Sequence, residues 1–115
     1  MAGRKLKRGE VPQDVMAEIL RILQTISYGE VVLVAQDGIL VQVEWNEKLR
    51  MESFGIPSQV QIWSEKQRQH ISEHVRQEFG RLQYGRLVIV VKRGDIVQME
   101  RTEKQRFTGL DGEGI

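Results

Sequence analysis

The chain contains no cysteine, and that absence removes several kinds of chemistry. Without a thiol there is no disulfide, no thiolate metal site and no cysteine nucleophile. A chain that does not depend on disulfides suits a reducing compartment, and we therefore expect a cytoplasmic protein.

Long apolar runs and a strong charge of one sign are missing as well. No uncharged apolar run is longer than that of residues 31–35, whereas a membrane-spanning helix needs about 20 such residues. The net charge is only +1, so the protein as a whole is weakly attracted to nucleic acid. Residues 1–8 nevertheless hold four cations and no anion. We expect residues 1–10 to form a basic flexible arm and residues 108–115 a flexible tail.

What the sequence does contain is an internal repeat. When the chain is shifted by 56 residues onto itself, residues 28–50 and 84–106 agree at eleven of 23 positions without a gap. Upstream of both segments, apolar residues recur at the spacing of one helical stripe. These residues are Val15, Ile19, Leu23 and Ile26 in the first copy, and Ile71, Val75, Phe79 and Leu82 in the second. The repeat predicts two copies of one unit, at 11–51 and 64–107, joined by a connector at 52–63.

Each copy has the signals of a helix followed by a β-hairpin. The second helix is expected to begin at Ser64, with Gln67 completing a capping box. Glycines after each helix, Gly29 and Gly85, are predicted to end it.

The two hairpin turns differ in strength. Asp37-Gly38 is a strong two-residue turn. Arg93-Gly94 is weaker, because arginine tolerates a positive φ poorly. A turn on Gly94-Asp95 would shift the pairing, but we keep the register of the first copy.

The hairpins predict the arrangement of the sheet. The first strand of each is apolar on both faces, which is typical of a strand in the middle of a sheet. We therefore predict one α+β domain at 11–107, with a four-stranded antiparallel sheet ordered second, first, first, second. Two helices cover one face, and a pseudo-twofold axis runs between the central strands. A single unit of about 40 residues would hardly fold alone, which favours pairing of the copies.

An unbroken ladder from each turn assigns the side chains to faces. It places Val32 and Val34 beneath the helices and puts the alternate residues on the open face. An open face with an apolar centre and polar margins fits a protein partner, a second sheet or nucleic acid. The alternative is that the polar residues only solvate the outer strands. The candidate binding surface consists of Leu33, Gln42, Glu44, Ile89, Gln98 and Glu100.

Each second strand ends in the pattern Glu-Lys-x-Arg. Cations at a strand exit can contact phosphates or an acidic partner. They can equally pair with the neighbouring glutamates, Glu47 and Glu103, or protect an exposed edge from aggregation. The candidate phosphate contacts are Lys48, Arg50, Lys104 and Arg106. Together with the basic arm they support the alternative function, a nucleic-acid-binding protein.

The first helix is apolar over a wider arc than the second. Its residues Met16, Leu20 and Ile22 correspond to Ser72, Arg76 and Glu78. Packing on a sheet does not require the wider arc. Either Met16 and Leu20 pack on the connector, whose apolar residues include Phe54, Ile56 and Trp63, or they form a homodimer or partner contact.

No motif indicates catalysis. Residues 70–74 fit the H-x-x-E-H pattern of certain zinc proteases, but no third ligand is evident and the first copy has Asp14 and Glu18 at the corresponding positions. A solvated helix surface is the favoured interpretation. The glycines of the C-terminal tail lack the flanking strand and helix of a phosphate-binding loop. We expect no enzyme activity, no cofactor and no metal.

With these residues identified, the sequence resembles the YezD/OscA-like family of small bacterial proteins. The second copy carries the family pattern as Tyr84-Gly85, Gly94, Val97-Gln98-Met99-Glu100 and the residues 102–106. The first copy matches less fully, with Trp45-Asn46 in place of Arg101-Thr102. The resemblance implies a loose association with bacterial sulfur assimilation and assigns no activity to particular residues. We predict a small non-catalytic binding or regulatory module whose partner is a protein.

Overall fold

The computed structural model describes residues 4–53, 55, 60–105 and 107. Along the chain these residues form α1 Gln13–Thr25, β1 Tyr28–Gln36, β2 Ile39–Glu47, a 3-10 turn Met51–Ser53, α2 Glu65–Phe79, β3 Tyr84–Lys92 and β4 Asp95–Glu103. Neither α-helix of this described part is long and apolar enough to cross a membrane.

The strands form one antiparallel sheet in the order β2-β1-β3-β4. The α+β class and the predicted strand order are therefore confirmed. Val32 pairs with Val88 at the centre of the β1–β3 ladder, and these two residues are equivalent in the repeat. The pseudo-twofold axis passes between them.

Two reciprocal contacts link the copies beyond the sheet. The amide of Gly38, in the first hairpin turn, donates to the Gln83 carbonyl at 2.8 Å. The amide of Gly94, in the second turn, donates to the Ser27 carbonyl at 3.0 Å. Each turn is therefore held by the segment that enters the central strand of the other copy.

Both hairpin turns adopt the predicted two-residue form. Asp37 has φ 58° and Arg93 has φ 54°, and each is followed by a glycine with positive φ. Two successive residues of this kind define the turn that matches the twist of antiparallel strands. The Arg93-Gly94 turn is thus confirmed, although arginine is sterically disfavoured there.

The register beyond each turn differs from the predicted unbroken ladder. Ala35 pairs with Leu40, but Val34 pairs with Gln42, so Val41 is the extra residue of a β-bulge. Val97 is the extra residue at the equivalent place in the second hairpin. A one-residue slip moves every following side chain to the other face. Consequently Leu33 faces Val43 rather than Gln42.

The bulges reverse the predicted assignment of the faces for the central strands β1 and β3. The helices cover the face of Val31, Leu33, Leu87 and Ile89, each of which is 0% exposed. From the helices, Ile19 and Leu23 of α1 and Val75 and Phe79 of α2 complete this core. The prediction that Val32 and Val34 lie beneath the helices is therefore wrong, because an unbroken ladder omits the extra residue.

The capped start of α2 agrees with the sequence signals, whereas the predicted ends of the two helices do not. Ser64 caps α2 through the predicted capping box, accepting from the Gln67 amide at 3.1 Å. The helix α1, however, ends before Gly29, with Ile26 already extended. Gly29 and Gly85 lie inside β1 and β3. The prediction that these glycines end the helices is wrong.

Those two glycines have a different structural role. A Cβ on Gly29 would lie 2.1 Å from the Asn46 carbonyl oxygen, and one on Gly85 would lie 1.9 Å from that of Thr102. The outer strand approaches each position too closely for any side chain. Both glycines are therefore required by the close approach of two backbones.

The wider apolar arc of α1 is filled within the chain. Met16 and Leu20 are 3% and 4% exposed, and they line the crevice between the helices with Arg68, Ser72 and Arg76 of α2. Phe54 and Ile56 lie outside the described residues. A homodimer through α1 stays a prediction, but these two buried side chains cannot carry it.

Residues 4–10 contact the body of the fold, although the sequence predicts a flexible arm. The Gly9 amide donates to the Gly38 carbonyl at 2.7 Å, and Leu6 packs against the core. Arg4 pairs with Asp14 at 2.9 Å. This guanidinium, by its hydrogen bonds, lowers the pKa of the exposed Asp14 carboxyl from its ordinary value.

Candidate functional site

The sheet face opposite the helices carries a diagonal stripe of valines, here called the valine band. Val32 and Val88 pair at its centre, and Val34 and Val90 lie two residues further along β1 and β3 on the same face. The bulge residues Val41 and Val97 extend it at either end, 51% and 52% exposed. The band consists of Val32, Val34, Val41, Val88, Val90 and Val97.

The bulges are what complete this band. In an unbroken ladder Val41 would lie on the face opposite Gln42. In the structure Leu40 is 8% exposed and belongs to the core, whereas Val41 and Gln42 are both exposed opposite Val34. Because a bulge sets two residues against one, each outer strand adds one more apolar side chain to the open face.

Polar pairs border the band on both outer strands. Gln42 donates a hydrogen bond to Glu44, and the equivalent Gln98 donates to Glu100. Glu44 lies beside Val32 and Glu100 beside Val88. All four polar residues thus lie where the sequence predicted them, at the margins of the face away from the helices.

Two of the predicted surface residues do not lie on this face. Leu33 and Ile89 are fully buried beneath the helices, because the bulges place them on the core side. The valines immediately next to them in sequence occupy the predicted apolar centre instead. The type of surface was predicted correctly, whereas its central residues were wrong by one position.

The duplication has diverged at one pair of positions on this face. Glu30 lies between Asn46 and Val90, and the equivalent Arg86 lies between Thr102 and Val34. Beside the valine band, the carboxylates of Glu30, Glu44 and Glu100 therefore outnumber the guanidinium of Arg86.

The predicted strand-exit cations do not form one patch. The Lys48 amide donates to the Tyr28 carbonyl, and the Lys104 amide to the Tyr84 carbonyl, at 2.7 and 2.6 Å. Tyr28 and Tyr84 begin antiparallel neighbouring strands, so the exits lie at opposite ends of the sheet, about 27 Å apart. Arg106 lies outside the described residues.

One exit joins the opposite hairpin in a cleft with a volume of about 620 Å³. We call it the basic cleft, and its cations are Lys48 and Arg50 from the first copy and Lys92 and Arg93 from the second. Arg50 stacks on the Tyr28 ring, with 4.7 Å between its guanidinium carbon and the ring centroid. Carboxylates also line the cleft, from Glu30, Glu52 and Asp95.

A second concavity lies beside α2. It has a volume of about 490 Å³ and is lined by Trp63, His70, Ile71, His74, Asp95, Ile96 and Met99. The two imidazole rings lie 6.2 Å apart. In the described part of the chain, no group of three or more His, Asp or Glu side chains is arranged to hold a metal ion.

One pairing that the sequence analysis missed joins β4 to α2. Arg101 donates to Glu78 at 2.7 Å. The first copy has Trp45 and Ile22 at the equivalent positions. The signal was available, because both members of the pair change together from apolar to charged between the copies.

Comparison with protein families gives one match. The model of the family described as Uncharacterized small protein (DUF2292) matches the chain twice, at residues 15–51 and 71–107. The two matches correspond to the two copies of the repeat and together cover more than half of the chain. No curated protein and no solved structure matches it.

Proposed function

The chain belongs to the DUF2292 family of uncharacterized small proteins, as two copies of the family unit in tandem, and because the family description names no activity we propose a function from the geometry. The protein is a non-catalytic binding module that holds a protein partner on the open face of its sheet. The valine band is the observation that carries this proposal.

The band has the properties of a preformed docking surface. Valine side chains are stiff at χ1, so little side-chain entropy is lost when a partner covers them. Val41 and Val97 expose about half of their surface, and covering apolar surface contributes about 25 cal/mol per Å². Within the described residues the helices lie on the other face. The exposed apolar surface of the band comes mainly from Val41 and Val97, because Val32 at its centre is only 6% exposed.

Charge complementarity indicates the chemistry of the partner. Carboxylates of Glu44 and Glu100 border the band on either side, and Glu30 adds a third. A partner segment with apolar side chains at its centre and lysine or arginine at its flanks matches both features. We propose this type of segment as the occupant.

The nucleic-acid alternative has less support from the geometry. Its predicted cations are divided between the two ends of the sheet, and the arginines of the basic arm pair with Asp14 and Asp37. A polyanion would therefore meet separate small groups of cations rather than a continuous stripe.

We also propose an assignment from the family resemblance. The YezD/OscA-like pattern in the second copy suggests a bacterial cytoplasmic module with a link to sulfur assimilation. The pattern also occurs, less fully, in the first copy, which supports this assignment. The docking experiment does not depend on it.

Selection from a library of displayed random peptides tests the docking surface. We expect enriched peptides that combine apolar centres with basic flanks, and their affinity should fall about tenfold or more in the Val41→Glu/Val97→Glu double variant, because a carboxylate then faces apolar surface. Val60→Glu/Ile62→Glu is the control with the same change in net charge, since Val60 and Ile62 are 60% and 91% exposed outside the band. The affinity of this control for the enriched peptides should equal that of the unaltered protein.

Two results would contradict the proposal. Enriched peptides that bind the double variant as tightly as the unaltered protein would place the docking surface elsewhere. A mass of two chains in solution, reduced to one chain by Val41→Glu/Val97→Glu, would identify a second copy as the occupant instead of a basic peptide segment.

A further inference from the structure

We propose that the basic cleft is a binding site for a small phosphate-bearing anion. The site is separate in chemistry from the docking face, although Val90 and Val97 lie at the boundary between the two. It is assembled by folding, because its cations come from the end of the first copy and from the hairpin of the second.

Three of the four cations of the cleft form no salt bridge within the described part of the chain. Arg50 pairs with Glu52, its Nε lying 2.7 Å from the Glu52 Oε1. Lys48, Lys92 and Arg93 take part in no salt bridge with any other residue that the structure describes. Three ammonium and guanidinium groups are therefore free to donate to oxyanions.

Arg93 gives the second and independent observation. It occupies the left-handed region at φ 54°, where an arginine side chain is sterically disfavoured and Asp or Asn is better tolerated. The first copy has Asp37 at this position, with φ 58°. Backbone strain of this kind persists where the side chain has a use, and here the use is a positive charge at the rim of the cleft.

The two ends of the sheet have diverged in the same direction. Where the basic cleft has Lys92 and Arg93, the equivalent turn of the first copy has Gln36 and Asp37. That aspartate is paired with Arg8 at 3.1 Å. The duplication thus supplied two equivalent hairpin turns, and only the second carries cations at these positions.

The size and charge of the cleft define the ligand. A volume of about 620 Å³ lies within the usual range for small-molecule sites. The carboxylates of Glu30, Glu52 and Asp95 also line it, and Glu52 pairs with Arg50. The three remaining cations outnumber the two remaining carboxylates, so the net charge of the lining favours an anion. A compact anion with more than one phosphoryl charge fits, whereas a long polyanion would also meet Asp37 at the far end of the sheet.

Calorimetric titration with inorganic pyrophosphate tests the site. Lys48 and Lys104 are equivalent residues at the two ends of the sheet, which makes Lys48→Gln and Lys104→Gln a matched pair with the same change in net charge. Lys48→Gln should weaken binding by about tenfold, the loss expected for a hydrogen bond to a charged group. Lys104→Gln should leave the affinity unchanged.

A third variant, Arg93→Asn, separates binding from folding. It should weaken pyrophosphate binding by about tenfold while raising the midpoint of thermal unfolding by about 2–5 °C, because Asn relieves the unfavourable φ. Loss of binding together with increased stability excludes an effect through misfolding.

Three outcomes would overturn the proposal. Equal weakening by Lys48→Gln and Lys104→Gln would indicate attraction to overall charge only. An unchanged affinity of Arg93→Asn for pyrophosphate would show that the turn is not part of the site. Binding to single-stranded oligonucleotides that tightens with length and exceeds pyrophosphate binding would indicate a nucleic-acid surface. None of these outcomes depends on the valine band, so the docking proposal stands or falls separately.

Discussion

At the scale of single residues, the equivalent positions of the two copies fall into two groups. Some are fixed by geometry, as Gly29 and Gly85 are by the carbonyl groups of the outer strands. Others have diverged between the copies. Arg101 and Glu78 form an ion pair where the first copy has Trp45 and Ile22.

Replacing either strand glycine by alanine should destabilise the protein. A Cβ about 2 Å from a carbonyl oxygen forces the two strands apart, and Gly29→Ala or Gly85→Ala should each lower the free energy of unfolding by about 1–3 kcal/mol. Gly80→Ala is the control, because Gly80 has a helical φ of −63° and its Cβ would meet nothing nearer than 3.2 Å. Urea denaturation measures all three. Equal stability of the strand variants and the control would contradict the steric explanation.

At the scale of secondary-structure elements, the sequence predicted which elements form but not how the hairpins register. The turns, the strand order and the cap of α2 follow from local signals. The bulges have no such signal, because β1 and β3 are apolar on both faces and therefore fit either register. The pattern of β2 contains the only hint, since Val41 precedes the alternation of Gln42, Val43 and Glu44.

The glycines were assigned the wrong role for a related reason. A glycine shortly after a helical stripe is a common helix end, and the sequence does not show the approach of a strand that follows 17 residues later, at Asn46. Contacts between distant segments also determined the candidate site. The polar margin was predicted from alternation along one strand, whereas the basic cleft combines residues from both copies and required the sheet itself.

Deleting a bulge residue should preserve the register of the hairpin. Without Val41, Leu40 stays opposite Ala35 and Gln42 opposite Val34, so Val43 remains opposite Leu33 on the helix face. The free energy of unfolding should therefore fall by no more than about 1 kcal/mol, because no core side chain changes face. Val41→Ala keeps the bulge and should change stability by no more than about 0.5 kcal/mol. Chemical denaturation compares the two, and a deletion that lowers stability by more than about 2 kcal/mol would show that the bulge itself stabilises the hairpin.

At the scale of the whole molecule, the two copies share one core and hold each other's turns. Neither half is complete without the other, because β1 and β3 are neighbours and the amides of Gly38 and Gly94 donate across the copy boundary. Folding should therefore be a single cooperative event rather than two independent ones.

A core substitution in one copy tests this cooperativity. Phe79 is 0% exposed in α2, and Phe79→Ala should lower the free energy of unfolding by about 3–5 kcal/mol. Amide hydrogen exchange should become faster in β1 of the first copy by the same factor as in β3 of the second. Slower exchange retained in β1 alone would show that the first copy folds as a separate unit.

The difference between Glu30 and its equivalent, Arg86, makes the two ends of the open face unlike. A face with true twofold symmetry would accept a partner in two opposite orientations of equal energy. Here one end of the band offers a carboxylate and the other a guanidinium, so the two orientations differ in free energy. For the proposed partner segment we therefore predict a single direction of binding, with its N-terminal and C-terminal ends always meeting the same copy. We also predict one partner segment for each chain, because the band is single.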